Sequence, residues 1–216
     1  MRRQDIEVEV ITGFPNYPGG KVYDGYKIRF FQQEESENIK INRVPLYPHH
    51  GRSALKRIFN YISFFLSSMI YGIFRKQKAD VIYAYHPPLT TALSASIISL
   101  FRSTPFVVDI QDLWPDTLAS TGMLTNKKIL NIVNSVCNFV YRRADKIVVL
   151  SPGFKERLVS RGVPADKIEV IYNWSDEENL RNYHKSSVVL PDGKFNVVFA
   201  GNLGLAQGLP LSLIHI

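Results

Sequence analysis

The sequence predicts an α/β fold, a parallel sheet with helices packed on both faces. Near-continuous Val/Ile runs recur along the chain, and helical patterns separate them. Strands buried on both faces read as such runs, and strand–helix alternation builds a parallel sheet. The 216 residues are 45% hydrophobic and 21% charged, enough apolar material for a sizeable core.

Residues 6–12 (IEVEVIT) predict the first strand, ending at the turn GFPNYPGG. YKIRFFQ and IKINRVPLY are shorter β candidates, and a helix follows over about residues 53–76. DVIYAY (80–85) is an apolar strand that opens into HPPLTT and a helix of small residues over 92–100. PFVVDI (105–110) predicts a strand, QDLWPDTL a loop, and residues from about 126 to 143 a helix. DKIVVL (145–150) leads through SPG to a helix over 153–161, and DKIEVIY (166–172) closes the set. Three boundaries follow. Residues 1–172 form one domain, the polar stretch 173–194 a linker, and 195–210 the first strand and turn of a second domain.

Charge is unevenly placed. Residues 1–37 carry five basic and seven acidic side chains, whereas residues 38–79 carry eight basic (Lys40, Arg43, Arg52, Lys56, Arg57, Arg75, Lys76, Lys78) and no acidic ones. The net charge is +7, and the 38–79 segment asks for an anionic partner. Between Arg57 and Arg75 lie seventeen uncharged residues, at the lower limit for a membrane span. Asn60, Ser63 and Ser67 fall on one stripe, with Ser68 beside it. A core helix with an exposed apolar edge and basic flanks, docked on an anionic bilayer, fits that pattern better than a span, and a fully buried helix is the alternative. The start MRRQDIEVEV lacks the apolar core of a signal peptide. One cysteine, Cys137, excludes an intrachain disulfide and reads as a buried structural thiol.

Ligands of such sheets bind outside the strands' carboxyl ends, which singles out HPPLTT, QDLWPD, SPG, NWSD and GNLG. Asp112 follows the VVDI strand directly, where a carboxylate can orient or deprotonate an incoming hydroxyl; a loop-stabilising role is the alternative. Asp109 lies within the strand and reads as a hydrogen-bonding residue. Trp114 with Pro115 offers a rigid aromatic wall, or plain core burial. His86, beside Pro87 and Pro88, is placed to bond a phosphate or sugar hydroxyl, or to be structural. Ser151 has the position of a helix N-cap. His49 and His50 have no Cys or Glu partners at ligand spacing, so no metal site is expected. GNLGLAQG after a strand is a plausible phosphate turn but matches neither P-loop nor G-x-G-x-x-G.

TGFPNYPGGKVYDGY, HPPLTTAL, DIQDLWPD, ADKIVVLSPGFKERL, IEVIYNWSD and VVFAGNLGLAQGL together resemble glycosyltransferase family 4. The likeness is to its bacterial O-antigen and capsule branch, including N-acetyl-L-fucosaminyl-type transferases. It implies the N-terminal, Rossmann-like half of a GT-B fold, in which an acceptor domain faces a nucleotide-sugar domain. It also implies that a first strand and glycine-rich loop precede Met1, and that the family's paired glutamates lie beyond the last residue. LSLIHI is what the mosaic-end adapter of transposon-based sequencing libraries encodes in one frame, so residues 211–216 are expected to be a library artefact.

By the resemblance, Asp112 takes the acid/base or acceptor-orienting position, and His86 and Trp114 line the acceptor side. Gly201, Asn202 and Gln207 meet the donor diphosphate, although relatives often carry Arg and Lys at the last two places. The function implied is a retaining transferase moving a sugar from a UDP-sugar to a polyprenyl-diphosphate-linked acceptor in surface polysaccharide synthesis. It would work at the cytoplasmic face of the membrane, with no cofactor beyond the donor, no metal and no nucleic acid. The 216 residues alone are expected to be inactive. The rival readings are a non-catalytic module that binds lipid-linked sugars, and a GT-B-fold UDP-sugar epimerase.

Overall fold

A computed structural model describes residues 6–49, 51, 53–122, 124–175, 193 and 195–196. The strand and glycine turn expected over 195–210, with Gly201, Asn202 and Gln207, lie outside the described residues apart from Phe195 and Asn196.

Among the described residues, seven strands and five α-helices follow one another: β1 (Glu9–Gly13), β2 (Gln32–Ser36), β3 (Ile39–Val44), α1 (Ala54–Phe74), β4 (Ile82–His86), α2 (Leu89–Arg102), β5 (Phe106–Ile110), α3 (Asp116–Ser120), α4 (Lys127–Arg143), β6 (Lys146–Val149), α5 (Pro152–Ser160) and β7 (Ile168–Val170). The strands form two sheets. One has the order β4-β5-β6-β7 and is parallel throughout. Its first three strands, β4, β5 and β6, are each followed by helical chain that leads to the next strand, as expected from the Val/Ile runs. Phe106, Val108 and Ile110 of β5 and Ile147 and Val149 of β6 are wholly buried. The main core gathers them with Ala92 and Ala95 of α2, Cys137, Val140 and Tyr141 of α4, and Leu158 of α5.

The other sheet differs from the expected single sheet. Its order is β1-β3-β2, with β1 parallel and β2 antiparallel to β3. The predicted strand YKIRFFQ is displaced. Residues 26–31 are irregular and the strand is Gln32–Ser36, QQEES. Its cause is pairing rather than pattern: Arg43 of β3 donates to the Glu34 carboxylate, and Gln33 Nε2 donates to Asn42 Oδ1 at 3.2 Å. A polar segment becomes an edge strand where a charged neighbour awaits it.

Helix ends follow their capping residues. Ser53 Oγ accepts from Lys56 N at 3.4 Å, and Asn126 Oδ1 accepts from Lys128 N at 2.9 Å. Ser151 Oγ accepts from Phe154 N at 3.3 Å, with Pro152 at the first helical position, so Ser151 is the N-cap its position implied. Arg142 and Arg143 close α4 at its negative end. α1 and α2 pack closely at Gly72, where an added Cβ would lie 2.4 Å from Ile98 Cδ1. No helix among the described residues is long and apolar enough to cross a membrane.

Candidate functional site

The carboxyl ends of β4 and β5 lie side by side, because the two strands pair in register from Ile82↔Phe106 to His86↔Ile110. Gln111 N then donates to His86 O at 2.9 Å, which clamps the loop after β5 against the end of β4. His86 and Asp112 are thereby brought to one sheet edge, and Trp114 folds back onto the histidine. The two rings meet edge to face, centroids 5.4 Å apart at 77°.

His86 is 1% exposed, and among the described residues neither ring nitrogen has a hydrogen-bond partner. Alternation along β4 explains the burial. Ala84 and His86 point inward, whereas Tyr83 and Tyr85 face outward. Burial lowers the imidazole pKa from 6.5 to about 4, outweighing an opposing contribution from the residue's own backbone. His86 is therefore a neutral ring. Asp112 is half-buried, and among the described residues its carboxylate makes no hydrogen bond or ion pair, while its carbonyl accepts from Trp114 N at 3.0 Å. Asp109, by contrast, is 5% exposed and saturated: Tyr83 Oη donates to Oδ2 at 2.6 Å and Gln111 Nε2 to Oδ1 at 2.8 Å. Of the two carboxylates after β5 begins, the inner one is structural and the outer one is open.

A support that sequence reasoning missed lies behind Trp114. Arg161 Nη1 donates to the Trp114 carbonyl at 3.0 Å, and Cys137 Sγ lies 3.6 Å from the same oxygen. Arg161 also pairs with Asp116 Oδ2 at 2.5 Å, and Arg157 Nε donates to that oxygen at 2.8 Å. Burial raises the Asp116 carboxyl's pKa, but the two guanidinium partners outweigh it and hold the group below the usual value. The only local hint was the acid that opens DTLAS, since its partners lie 41 and 45 residues away. Cys137 is buried, with its thiol pKa pushed up to about 11 by burial, so it is a packing thiol.

A parallel four-stranded sheet flanked by helices defines an α/β domain of the Rossmann-like kind, and Asp112, His86 and the core-packed Trp114 lie at its carboxyl edge. The chain belongs to the glycosyl transferase 4-like domain family, whose profile matches residues 1–174. It is 27% identical over 220 residues to a provisionally named colanic acid biosynthesis glycosyl transferase, WcaI, of Escherichia coli (strain K12). That match covers 97% of this chain and 54% of the relative. It is 21% identical over 141 residues to a provisionally named glycosyltransferase, WbjE, of Pseudomonas aeruginosa, covering 62% of this chain and 35% of the relative. The chain thus spans about half the length of the first relative and about a third of the second.

Proposed function

We propose that this chain is the acceptor-side part of a retaining glycosyltransferase that moves a sugar from a UDP-sugar to a polyprenyl-diphosphate-linked acceptor during surface polysaccharide synthesis. One observation carries the reading. The family to which residues 1–174 belong is joined here to an unpaired carboxylate, Asp112, on the loop clamped beside His86 and Trp114. The colanic acid name of the first relative supports a surface polysaccharide product.

In this reading the acceptor hydroxyl is oriented by Asp112 and its sugar ring rests on the Trp114 side. The hydroxyl oxygen bonds to the anomeric carbon as that carbon's bond to the UDP oxygen breaks. The hydroxyl proton passes to the departing diphosphate, so positioning and charge stabilisation are the protein's main tasks. Gly201, Asn202 and Gln207 are proposed to meet that diphosphate. Turnover needs a donor site with more residues than these, so the 216 residues alone are expected to bind acceptor without transferring sugar. The work would take place at the cytoplasmic membrane face, with the 38–79 segment toward the anionic surface.

The test uses a complete enzyme containing this sequence, radiolabelled UDP-sugars and a short polyprenyl-diphosphate-linked acceptor. Transfer with retained anomeric configuration is expected, and Asp112→Asn should lower kcat by about a hundredfold or more with little change in donor KM. Inverted product, or an unchanged kcat in the variant, would overturn the assignment.

A further inference from the structure

The basic segment is less uniform in space than in sequence. Lys40 pairs with Glu7, Arg43 with Glu34 and Arg75 with Glu9, so acids of residues 1–37 neutralise three of its eight cations. Lys56, Arg57, Lys76 and Lys78 make no ion pair among the described residues. These four sit at the two ends of α1.

α1 itself is inside out. Its polar edge faces protein: Asn60 Nδ2 donates to Tyr47 O at 2.7 Å, Ser63 Oγ accepts from Tyr47 N at 2.8 Å, Ser67 Oγ donates to Pro45 O at 2.6 Å, and Ser68 Oγ meets Ser94 Oγ at 2.9 Å. Its outer edge is apolar. Leu55, Phe59, Ile62, Leu66, Ile70 and Phe74 are all exposed, and their spacing of three or four residues makes one continuous stripe. Phe59 is 62% and Phe74 79% exposed. The stripe runs the 21 residues of the helix, roughly 30 Å at 1.5 Å per residue. At the end of α2, Leu100 and Phe101 are also exposed, and the neighbouring Arg102 guanidinium donates to the carbonyls of Ile73, Arg75 and Gln77 at the end of α1.

We infer that this stripe is the surface that enters the lipid bilayer, with α1 lying in the plane of the interface. The inference rests on the membrane reading above and specifies its residues. A contiguous apolar stripe of this length is unusual on a free protein surface. The unpaired cations choose the occupant. An anionic bilayer matches both the apolar strip and a basic rim at each end, with the helix neither long nor apolar enough to span. Insertion anchors the domain, and Lys56, Arg57, Lys76 and Lys78 bias it toward anionic headgroups.

Vesicle flotation of the 216-residue chain tests this without donor or acceptor, so a failed transferase assay leaves the result untouched, and the converse holds. Vesicles of phosphatidylcholine mixed with phosphatidylglycerol should bind the chain at least about fivefold more tightly than phosphatidylcholine alone. The variant Phe59→Gln/Leu66→Gln/Ile70→Gln replaces solvent-facing groups and should keep its far-UV circular dichroism. It should lose at least about tenfold in partitioning at the same lipid composition. Lys56→Glu/Lys76→Glu/Lys78→Glu should remove the preference for phosphatidylglycerol. Three results would overturn the inference. One is wild-type binding by the glutamine variant. Another is no vesicle binding by the parent chain. The third is a concentration-dependent dimer that the glutamine variant abolishes, which would make the stripe a contact between copies.

Discussion

At the scale of the residue, His86 ties stability to pH. Its imidazole is buried, both nitrogens are without a hydrogen-bond partner among the described residues, and its pKa falls from 6.5 to about 4. The unfolded chain therefore takes up a proton below pH 6.5 that the folded chain refuses until about pH 4. The contribution is fully present above the unfolded value and is lost as pH falls through that window. At about pH 5 the loss comes to roughly 2 kcal/mol. Urea midpoints at about pH 7.5 and about pH 5 should show it, and His86→Gln should flatten the difference. An equal pH slope in the variant would mean that a partner or water already satisfies the ring. The value of this residue was only partly legible in HPPLTT. Its place after a strand was plain from the Val/Ile pattern, but burial depends on Trp114 arriving from another loop, which no local spacing reveals. The contrast between Asp109 and Asp112 was legible, because one lies within a strand and the other just past its end.

At the scale of the element, the short helix α3 decides how firmly Trp114 is held. QDLWPDTL predicts a loop, since it offers neither apolar period nor helical length. α3 is fixed instead by Asp116, which two arginines of the α5 segment grip from opposite ends of one turn. Asp116→Ala removes both contacts and leaves Arg161, only 14% exposed, with the Trp114 carbonyl alone. The expected cost is about 1 kcal/mol in chemical denaturation, a modest figure because Asp116 is itself 40% exposed. Arg157→Ala, at a more exposed group, should cost less. The near-ultraviolet dichroism of Trp114 should weaken in Asp116→Ala and persist in Arg157→Ala, which keeps the Arg161 link. Equal spectra in all three proteins would show that the aromatic wall stands without α3. β2 escaped sequence reading for a similar reason: QQEES has strand form only because β3 supplies its partners.

At the scale of the whole molecule, the two sheets differ in what holds them. The four-stranded sheet lies in the main core, which draws no residue from β1, β2 or β3. The three-stranded sheet depends on a polar chain. Gln33 donates to Asn42, Asn42 Nδ2 donates to Glu9 Oε1 at 2.7 Å, and Arg75 at the end of α1 donates to the other Glu9 oxygen. Asn42 is wholly buried and the Glu9–Arg75 pair is partly buried, at 15% exposure each. Hydrogen exchange should separate the sheets. Amides of Val108, Ile110, Ile147 and Val149 are expected to exchange only with global unfolding, and those of Ile11 and Asn42 through a smaller opening. Arg75→Ala leaves a poorly solvated carboxylate beside Asn42, a loss on the order of 2 kcal/mol. Exchange in β1 and β3 should then quicken by roughly thirtyfold, with β5 and β6 unchanged. If all four strands quicken together, the sheets unfold as one unit, and α1 binds them more tightly than its contacts imply. If only β1 and β3 respond, α1 is the hinge between a rigid site-bearing sheet and a looser one. Its apolar outer stripe would then couple any surface it meets to the sheet that carries Glu9.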